Sequence, residues 1–166
     1  IDMERINEFG RRFGLGEEVL GIDIPGERRG WLPDSASFNK RNKRSGWRWA
    51  RGLILNLSIG QGQLVTPLQQ AVLVGSLATN AGVYKPHLMK ELRDRSGKVI
   101  KKFEPEIIRS GQMKESTHKV ILAGLDSVVN HPGGTGKRGA VKGIRVGGKT
   151  GSGEWKKGEK THERKA

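Results

Sequence analysis

Cysteine is absent from this 166-residue chain, which removes disulfides and thiolate metal sites and leaves the redox compartment open. Long apolar runs are absent as well. No stretch approaches the roughly eighteen residues needed to cross a bilayer, and the opening Ile1-Asp2-Met3-Glu4 lacks the basic-then-apolar layout of a secretory leader. The chain also opens without an initiator Met, on residues that already read as helix, so Ile1 is not expected to be a natural start. Aromatics amount to 5% and hydrophobic residues to 34%, enough for one modest core. Repeats and single-residue tracts are missing, so the 25 glycines point to turns and close backbone approaches rather than to low complexity. The four histidines, His87, His118, His131 and His162, show neither metal-ligand spacing nor an accompanying carboxylate cluster, and no metal site is expected.

Acidic residues are scarce. Asp and Glu number 17 against 31 Lys and Arg, a formal charge of +14 and a pI near 10.5. Arg28, Arg29, Lys40, Arg41, Lys43, Arg44, Arg48 and Arg51 stand against Asp34 alone, so the segment 28–51 carries +7, half of the total. Trp31, Trp47 and Trp49 are interleaved with these cations. Alternating basic and aromatic residues can hold a phosphate backbone and stack bases, but they equally suit a solvated loop whose indoles pack underneath. Both readings stay open at this point.

Ile1, Ile6, Phe9 and Phe13 recur at near-helical spacing, predicting an amphipathic helix over 2–13 ended by Gly14 and Gly16. From Gly21 to about Leu57 no periodicity persists, and Pro25-Gly26, Pro33-Asp34 and Ser45-Gly46 punctuate a long loop. Thr66 as N-cap, Pro67 at the first helical position and Gln69 as capping-box partner open a helix that runs to about Asn80. That helix is apolar nearly all round, so burial at the centre of the fold is expected. Leu88–Leu92 and Val99–Phe103 read as a β-hairpin around Asp94-Arg95-Ser96-Gly97. A second helix is predicted from Ser116, its N-cap, to Asn130, with Val120, Ile121, Leu125, Val128 and Val129 on the buried side. A glycine-rich turn follows, then a strand near Ile144–Thr150. The order of elements gives an α/β mixture of the α+β kind, an antiparallel sheet packed on helices.

Three stretches carry a resemblance. Ser58-Ile59-Gly60-Gln61-Gly62 with Thr66-Pro67-Leu68-Gln69, then Gly133-Gly134-Thr135-Gly136, then Gly148-Lys149-Thr150-Gly151 resemble, in order and spacing, the later half of a class B penicillin-binding protein transpeptidase domain, of the penicillin-binding protein 2 type. Arg5-Ile6-Asn7-Glu8-Phe9-Gly10 and Gly21-Ile22-Asp23-Ile24-Pro25-Gly26-Glu27 fit the same family, so the likeness extends over nearly the whole chain. It implies the penicillin-binding-protein and serine β-lactamase-like fold, here partial. Residues 1–166 would then be a transpeptidase domain lacking its amino-terminal nucleophile segment and its last strands, including the antiparallel neighbour of the Lys-Thr-Gly strand.

The family's chemistry uses a Ser with a Lys one helical turn later, a Ser-x-Asn pair, and a Lys-Thr-Gly strand. By resemblance, Lys149 supplies positive potential to a substrate carboxylate, Thr150 donates to it, and Gly151 lets a peptide lie against the edge as an added strand. Ser152, the residue after that glycine, lends its backbone N–H to the oxyanion hole. Many members have Thr-Ala where this chain has Ser152-Gly153. Ser37-Phe38-Asn39-Lys40 and Ser116-Thr117-His118-Lys119 satisfy Ser-x-x-Lys, but with ten Ser and sixteen Lys about one match arises by chance. Ser37 lies in the basic loop with no helix expected to set Lys40 one turn away. Neither serine is taken as a nucleophile.

The resemblance therefore implies a fragment of a peptidoglycan D,D-transpeptidase, inactive alone and needing no cofactor. Its partners would be the stem peptide, β-lactams and cell-elongation membrane proteins, with no nucleic acid. Its parent would be anchored in the cytoplasmic membrane and face the periplasm. The rival class is a non-catalytic basic module binding nucleic acid or another anionic polymer.

Overall fold

A computed structural model of the chain describes residues 2–157 and 160–165, with side chains described for 2–151. Two compact units result, residues 1–112 and 113–166.

In the first unit, α1 (Met3–Arg12) is capped by Asp2, whose carboxylate accepts from Arg5 N–H at 2.8 Å. It buries Met3 and Asn7, and Asn7 donates to the Pro33 carbonyl at 2.6 Å. Segment 21–57 is more ordered than its composition predicts. It contains α2 (Ser35–Arg41), a 3-10 turn (Lys43–Ser45) and α3 (Leu53–Ser58). The signal for α2 is a capping box: Ser37 N–H donates to the Asp34 carboxylate at 2.6 Å, and Asp34 N–H to the Ser37 hydroxyl at 3.0 Å. Ser37 and Lys40 thus do share a helix, contrary to expectation. Arg41 stacks on Trp31 at 4.7 Å, and Phe38 meets Trp49 edge-on at 5.7 Å.

The cap of α4 (Pro67–Thr79) is the one read from the sequence. Gln69 N–H donates to Thr66 Oγ1 at 3.1 Å and Thr66 N–H to Gln69 Oε1 at 3.2 Å. The burial expected of α4 is not met: Gln69 and Ser76 are buried, while Val74 is 59% exposed. Gln69 has no exposed surface, and its Nε2 donates to Gly16 O at 2.8 Å and Glu18 O at 3.4 Å. Around it, Gly30 N–H donates to Gly16 O and Trp31 pairs with Leu64 in an isolated bridge. A Cβ on Gly30 would come within 2.6 Å of Gln69 Oε1 and of Leu64 O, so no larger residue fits.

Met3, Phe13, Leu20, Leu32, Leu57 and Val83 form the core of this unit. Leu20, Gly21 and Ile22 N–H groups all donate to the Glu27 carboxylate, closing the Pro25-Gly26 turn over that core. The strands are short. β1 (Val83–Tyr84) pairs antiparallel with β4 (Ile107–Arg109), and β2 (Glu91–Arg93) with β3 (Val99–Lys102) as the predicted hairpin. Arg109 closes the edge, donating to Arg11 O and pairing with Glu18 at 2.6 Å.

The second unit holds α5 (Glu115–Asn130) and the hairpin of β5 (Ser152–Lys157) and β6 (Lys160–Lys165). Lys114 rather than Ser116 is the N-cap, and no side chain caps this helix. Of its predicted inner face, Val129 is buried, Ile121, Leu125 and Val128 are half-buried, and Val120 is 73% exposed. The fold class is the mixed α/β one expected, with antiparallel pairing distributed, among the described residues, over three two-stranded sheets. Two local expectations are corrected. Residues 144–150 form no strand; they run as irregular backbone and strand pairing begins at Ser152. The antiparallel neighbour expected to be missing is present as β6, in continuous register from Ser152↔Lys165 to Lys157↔Lys160.

Gln69→Leu keeps volume but strands the Thr66 N–H and loosens the Gly16 turn. It is expected to lower the unfolding free energy by about 1–3 kcal/mol, because a buried polar group left unpaired costs that much. Urea denaturation checks this.

Candidate functional site

The candidate residues collect around the carboxy-terminal end of α5, where a helix leaves carbonyls without intrahelical partners. The glycine-rich turn satisfies one of them: Gly136 N–H donates to Val128 O at 2.8 Å. Gly134 N–H donates to His131 O at 2.8 Å, and Gly133 N–H to His131 Nδ1 at 3.1 Å. A Cβ on Gly134 would lie 2.4 Å from Val128 O, and one on Gly136 2.9 Å from the Val128 side chain. Only glycine lets this turn fold so closely onto the helix, and between the two glycines it presents Thr135.

Segment 145–150 is held to the other side of the same helix end. Gly148 N–H donates to Leu125 O at 3.0 Å and Asn130 Nδ2 to Val146 O at 2.9 Å. Arg145 Nε donates to Asp126 Oδ1 at 2.7 Å, and Asn130 Nδ2 also reaches that carboxylate at 2.9 Å. These bonds favour irregular backbone over a strand at 144–150: the Val146 carbonyl and the Gly148 N–H are both tied to α5 rather than to a neighbouring strand. Arg145 and Asn130 hold the Asp126 carboxyl below its usual range, the Arg145 hydrogen bond being the larger influence.

The two tethered segments meet at their hydroxyls, with Thr135 Oγ1 and Thr150 Oγ1 3.0 Å apart. Between them opens a cleft of about 630 Å³, lined on its polar side by Thr135, Lys137, Arg138, Lys149 and Thr150. Three cations and no carboxylate make it a place for an anion. The Lys149 ammonium donates to the Thr150 carbonyl, within the lining of the cleft. Beyond, Gly151 is exposed, and the place its Cβ would take has nothing within 4 Å. That open edge is what an incoming peptide strand needs. Ser152 begins β5, with its N–H on the strand that follows the cleft; its side chain lies outside the described residues.

Of the four expected site residues, Lys149 and Thr150 line the cleft, and Gly151 and the backbone of Ser152 follow them in the chain outside its lining. Ser37 and Ser116 are not part of its lining. Ser116 stands near the opposite end of α5, about 20 Å along the axis from Asn130 at 1.5 Å per residue. Ser37, although helical, has its hydroxyl engaged with the Asp34 backbone as an N-terminal bracket. Among the described residues no cluster of His, Cys, Asp and Glu could hold a metal ion. No described helix is long and apolar enough to cross a membrane. The sequence motifs give Thr135 no role, mark Asn130 only as a helix end and do not single out Asp126 or Arg145. The spacing of Asp126 and Asn130, one turn apart just before a glycine-rich turn, was the available signal.

The sequence profile of the penicillin binding protein transpeptidase domain matches residues 1–166. Stage V sporulation protein D of Bacillus subtilis is 32% identical over 152 residues, 92% of this chain and 21% of that protein. Peptidoglycan D,D-transpeptidase MrdA of Acinetobacter baumannii is 26% identical over 157 residues, 94% of this chain and 22% of that one. The chain spans about a fifth of the length of these curated relatives. Penicillin-binding protein 2B of Streptococcus pneumoniae superposes with a TM-score of 0.75 at 21% identity, over 97% of this chain and 25% of that one, a likeness of fold. Penicillin-binding protein 2 of Helicobacter pylori, solved in complex with MreC, superposes with a TM-score of 0.70 at 26% identity, over 98% of this chain and 29% of that one.

The Asp126 latch has a pH signature. A carboxyl depressed in the folded state contributes its stability above its unfolded pKa and loses it as pH falls through the folded one. Protection of the Gly148 amide, corrected for intrinsic exchange, is therefore expected to be level from pH 7 to about 5 and to fall below about pH 4. Asp126→Asn should show reduced protection throughout, removing the step.

Proposed function

Because the chain belongs to the penicillin-binding protein transpeptidase family, we propose that it supplies the carboxylate-binding half of a peptidoglycan D,D-transpeptidase site. The observation that carries this reading is the cationic cleft in which Thr135 and Thr150 meet beside Lys149. In the complete enzyme, the terminal carboxylate of a D-Ala-D-Ala stem peptide sits there, facing Lys149 and accepting from the Thr150 hydroxyl. A serine from a segment of the parent outside this chain attacks the penultimate D-Ala carbonyl. The oxyanion takes the Ser152 N–H, the serine ester forms and the terminal D-Ala leaves as the amine. An acceptor amine of a neighbouring wall peptide then attacks the ester, forming the cross-link and releasing the serine. A β-lactam enters by the same route, its ring opening to an ester.

The remaining expectations are part of the same proposal. The chain alone is inactive, since it offers an anion pocket without an activated hydroxyl. The parent is held at the outer face of the cytoplasmic membrane by a segment outside this chain. By analogy with the MreC complex of the Helicobacter pylori relative, it works with cell-elongation proteins.

Incubation of the isolated chain with penicillin is expected to leave its mass unchanged; an acyl adduct on Ser37 or Ser116 would overturn the assignment of both. In the full-length protein, Thr150→Ala should slow acylation roughly ten- to a hundredfold, as fits a hydrogen bond to a charged group of about 1.5–3 kcal/mol. Thr150→Ser should cost far less. Lys149→Ala should be slower than Thr150→Ala, because it also removes the field that keeps a neighbouring general base neutral. Stopped-flow acylation with a reporter β-lactam decides the matter: parental rates in Lys149→Ala and Thr150→Ala would mean that the cleft is not the carboxylate site.

A further inference from the structure

Counting protons at the Thr135–Thr150 contact assigns a role to the glycine-rich turn. A threonine hydroxyl carries one proton and two lone pairs. With an anion in the cleft, the Thr150 proton points to it, so at the 3.0 Å contact Thr150 Oγ1 is the acceptor and Thr135 the donor. We propose that Thr135 is a positioning residue for the transpeptidase reaction: its O–H holds the Thr150 hydroxyl with its proton directed at the substrate carboxylate. This rests on the carboxylate-site reading above. The chain Thr135 O–H to Thr150 O–H to carboxylate is polarised from end to end, each bond strengthening the next. Without Thr135, Thr150 would rotate among its staggered positions and present its proton to the anion in only some of them.

The surroundings of Thr135 fit this task. Its turn is pinned by Gly136 N–H on Val128 O and by Gly134 N–H on His131 O, both at 2.8 Å. Segment 145–150 is anchored to the same helix by the Gly148 and Asn130 bonds. Both hydroxyls are thereby referred to one rigid element, and the distance between them follows from the helix end rather than from a free loop. Close packing at Gly134 and Gly136 excludes larger residues there, so it is the turn itself that sets where Thr135 stands.

The test is a double-variant cycle on β-lactam acylation by the full-length protein. Thr135→Val keeps the shape and removes the donor; it should slow acylation about three- to tenfold, the effect of one hydrogen bond between neutral groups. Thr135→Ser should restore the rate to within about twofold of the parent. In a Thr150→Val background, Thr135→Val should add nothing, because residues acting through one contact are not additive. The proposal is overturned if Thr135→Val acylates like the parent while Thr150→Val is slow. It is equally overturned if Thr135→Val slows both backgrounds alike, or if Thr135→Ser is as slow as Thr135→Val, since a merely structural turn would behave so. A parental rate in Thr150→Val would instead remove the carboxylate-site reading, and the two failures are distinguishable.

Discussion

A single buried amide, Gln69, holds the first unit together. It has no exposed surface, yet its side chain serves two structures at once, the capping box of α4 and the turn at Gly16–Glu18. A polar group buried this deeply is tolerable only when its donors and its acceptor are matched, and here they are. The consequence spreads through the backbone. Gly16 O also takes Gly30 N–H, which delivers Trp31 to Leu64, and Glu17 takes Leu32 N–H at 2.7 Å. The entry to α4, the end of the turn after α1 and the start of the basic segment are thus fixed by one network rather than by a large core.

The second unit applies the same economy of polar groups to a different end. The last turn of helix α5 leaves the Val128 carbonyl without an intrahelical donor, and Gly136 N–H supplies one, while Gly148 N–H adds a second bond to the Leu125 carbonyl one turn earlier. Stability and site geometry are therefore one set of bonds. The Asp126–Arg145 pair, exposed on the arginine side, adds little energy in water but ties the start of 145–150 to α5.

What the sequence made legible follows from how local each signal was. Thr66-Pro67-Leu68-Gln69 is a complete helix start within four residues, and the structure bears it out atom by atom. The Asp94-Arg95-Ser96-Gly97 hairpin was equally local, with Ser96 and Lys98 N–H groups donating to Asp94. The misses needed partners far along the chain or a signal read too narrowly. Helix α2 is hidden because Pro33-Asp34 has the form of loop punctuation, while Asp34 is also the N-cap of a capping box closed by Ser37. Residues 144–150 were expected to form a strand, but the Val146 carbonyl and the Gly148 N–H are bonded to α5, sixteen or more residues back, which no window of ten residues reveals. The apolar character of α4 promised burial that these 166 residues do not provide around Val74. At the site, Lys149, Thr150, Gly151 and Ser152 were legible as a motif; that Thr135 would stand 3.0 Å from Thr150 was not, since the two lie fifteen positions apart in the chain.

The basic segment 28–51 also reads differently once its aromatics are located. Stacking on nucleic-acid bases requires open indole faces spaced along a groove. Trp31 is covered by the Arg41 guanidinium, and Trp49 is half-buried against the edge of Phe38, with its N–H of the main chain held by Asn39 at 2.6 Å. Of the segment's three indoles only Trp47, 61% exposed, presents an open surface. The cations are likewise partly used: Arg41 packs on a ring, and Lys40 and Arg41 lie in the last turn of α2, where positive charge complements the helix dipole. A segment whose rings stabilise its own fold offers charge without a stacking platform. Exposed charge of this kind is expected to attract a polyanion weakly and to lose that attraction as salt rises. The weight of functional chemistry in this chain therefore rests on the cleft at the end of α5, which Lys137, Arg138 and Lys149 line without a carboxylate.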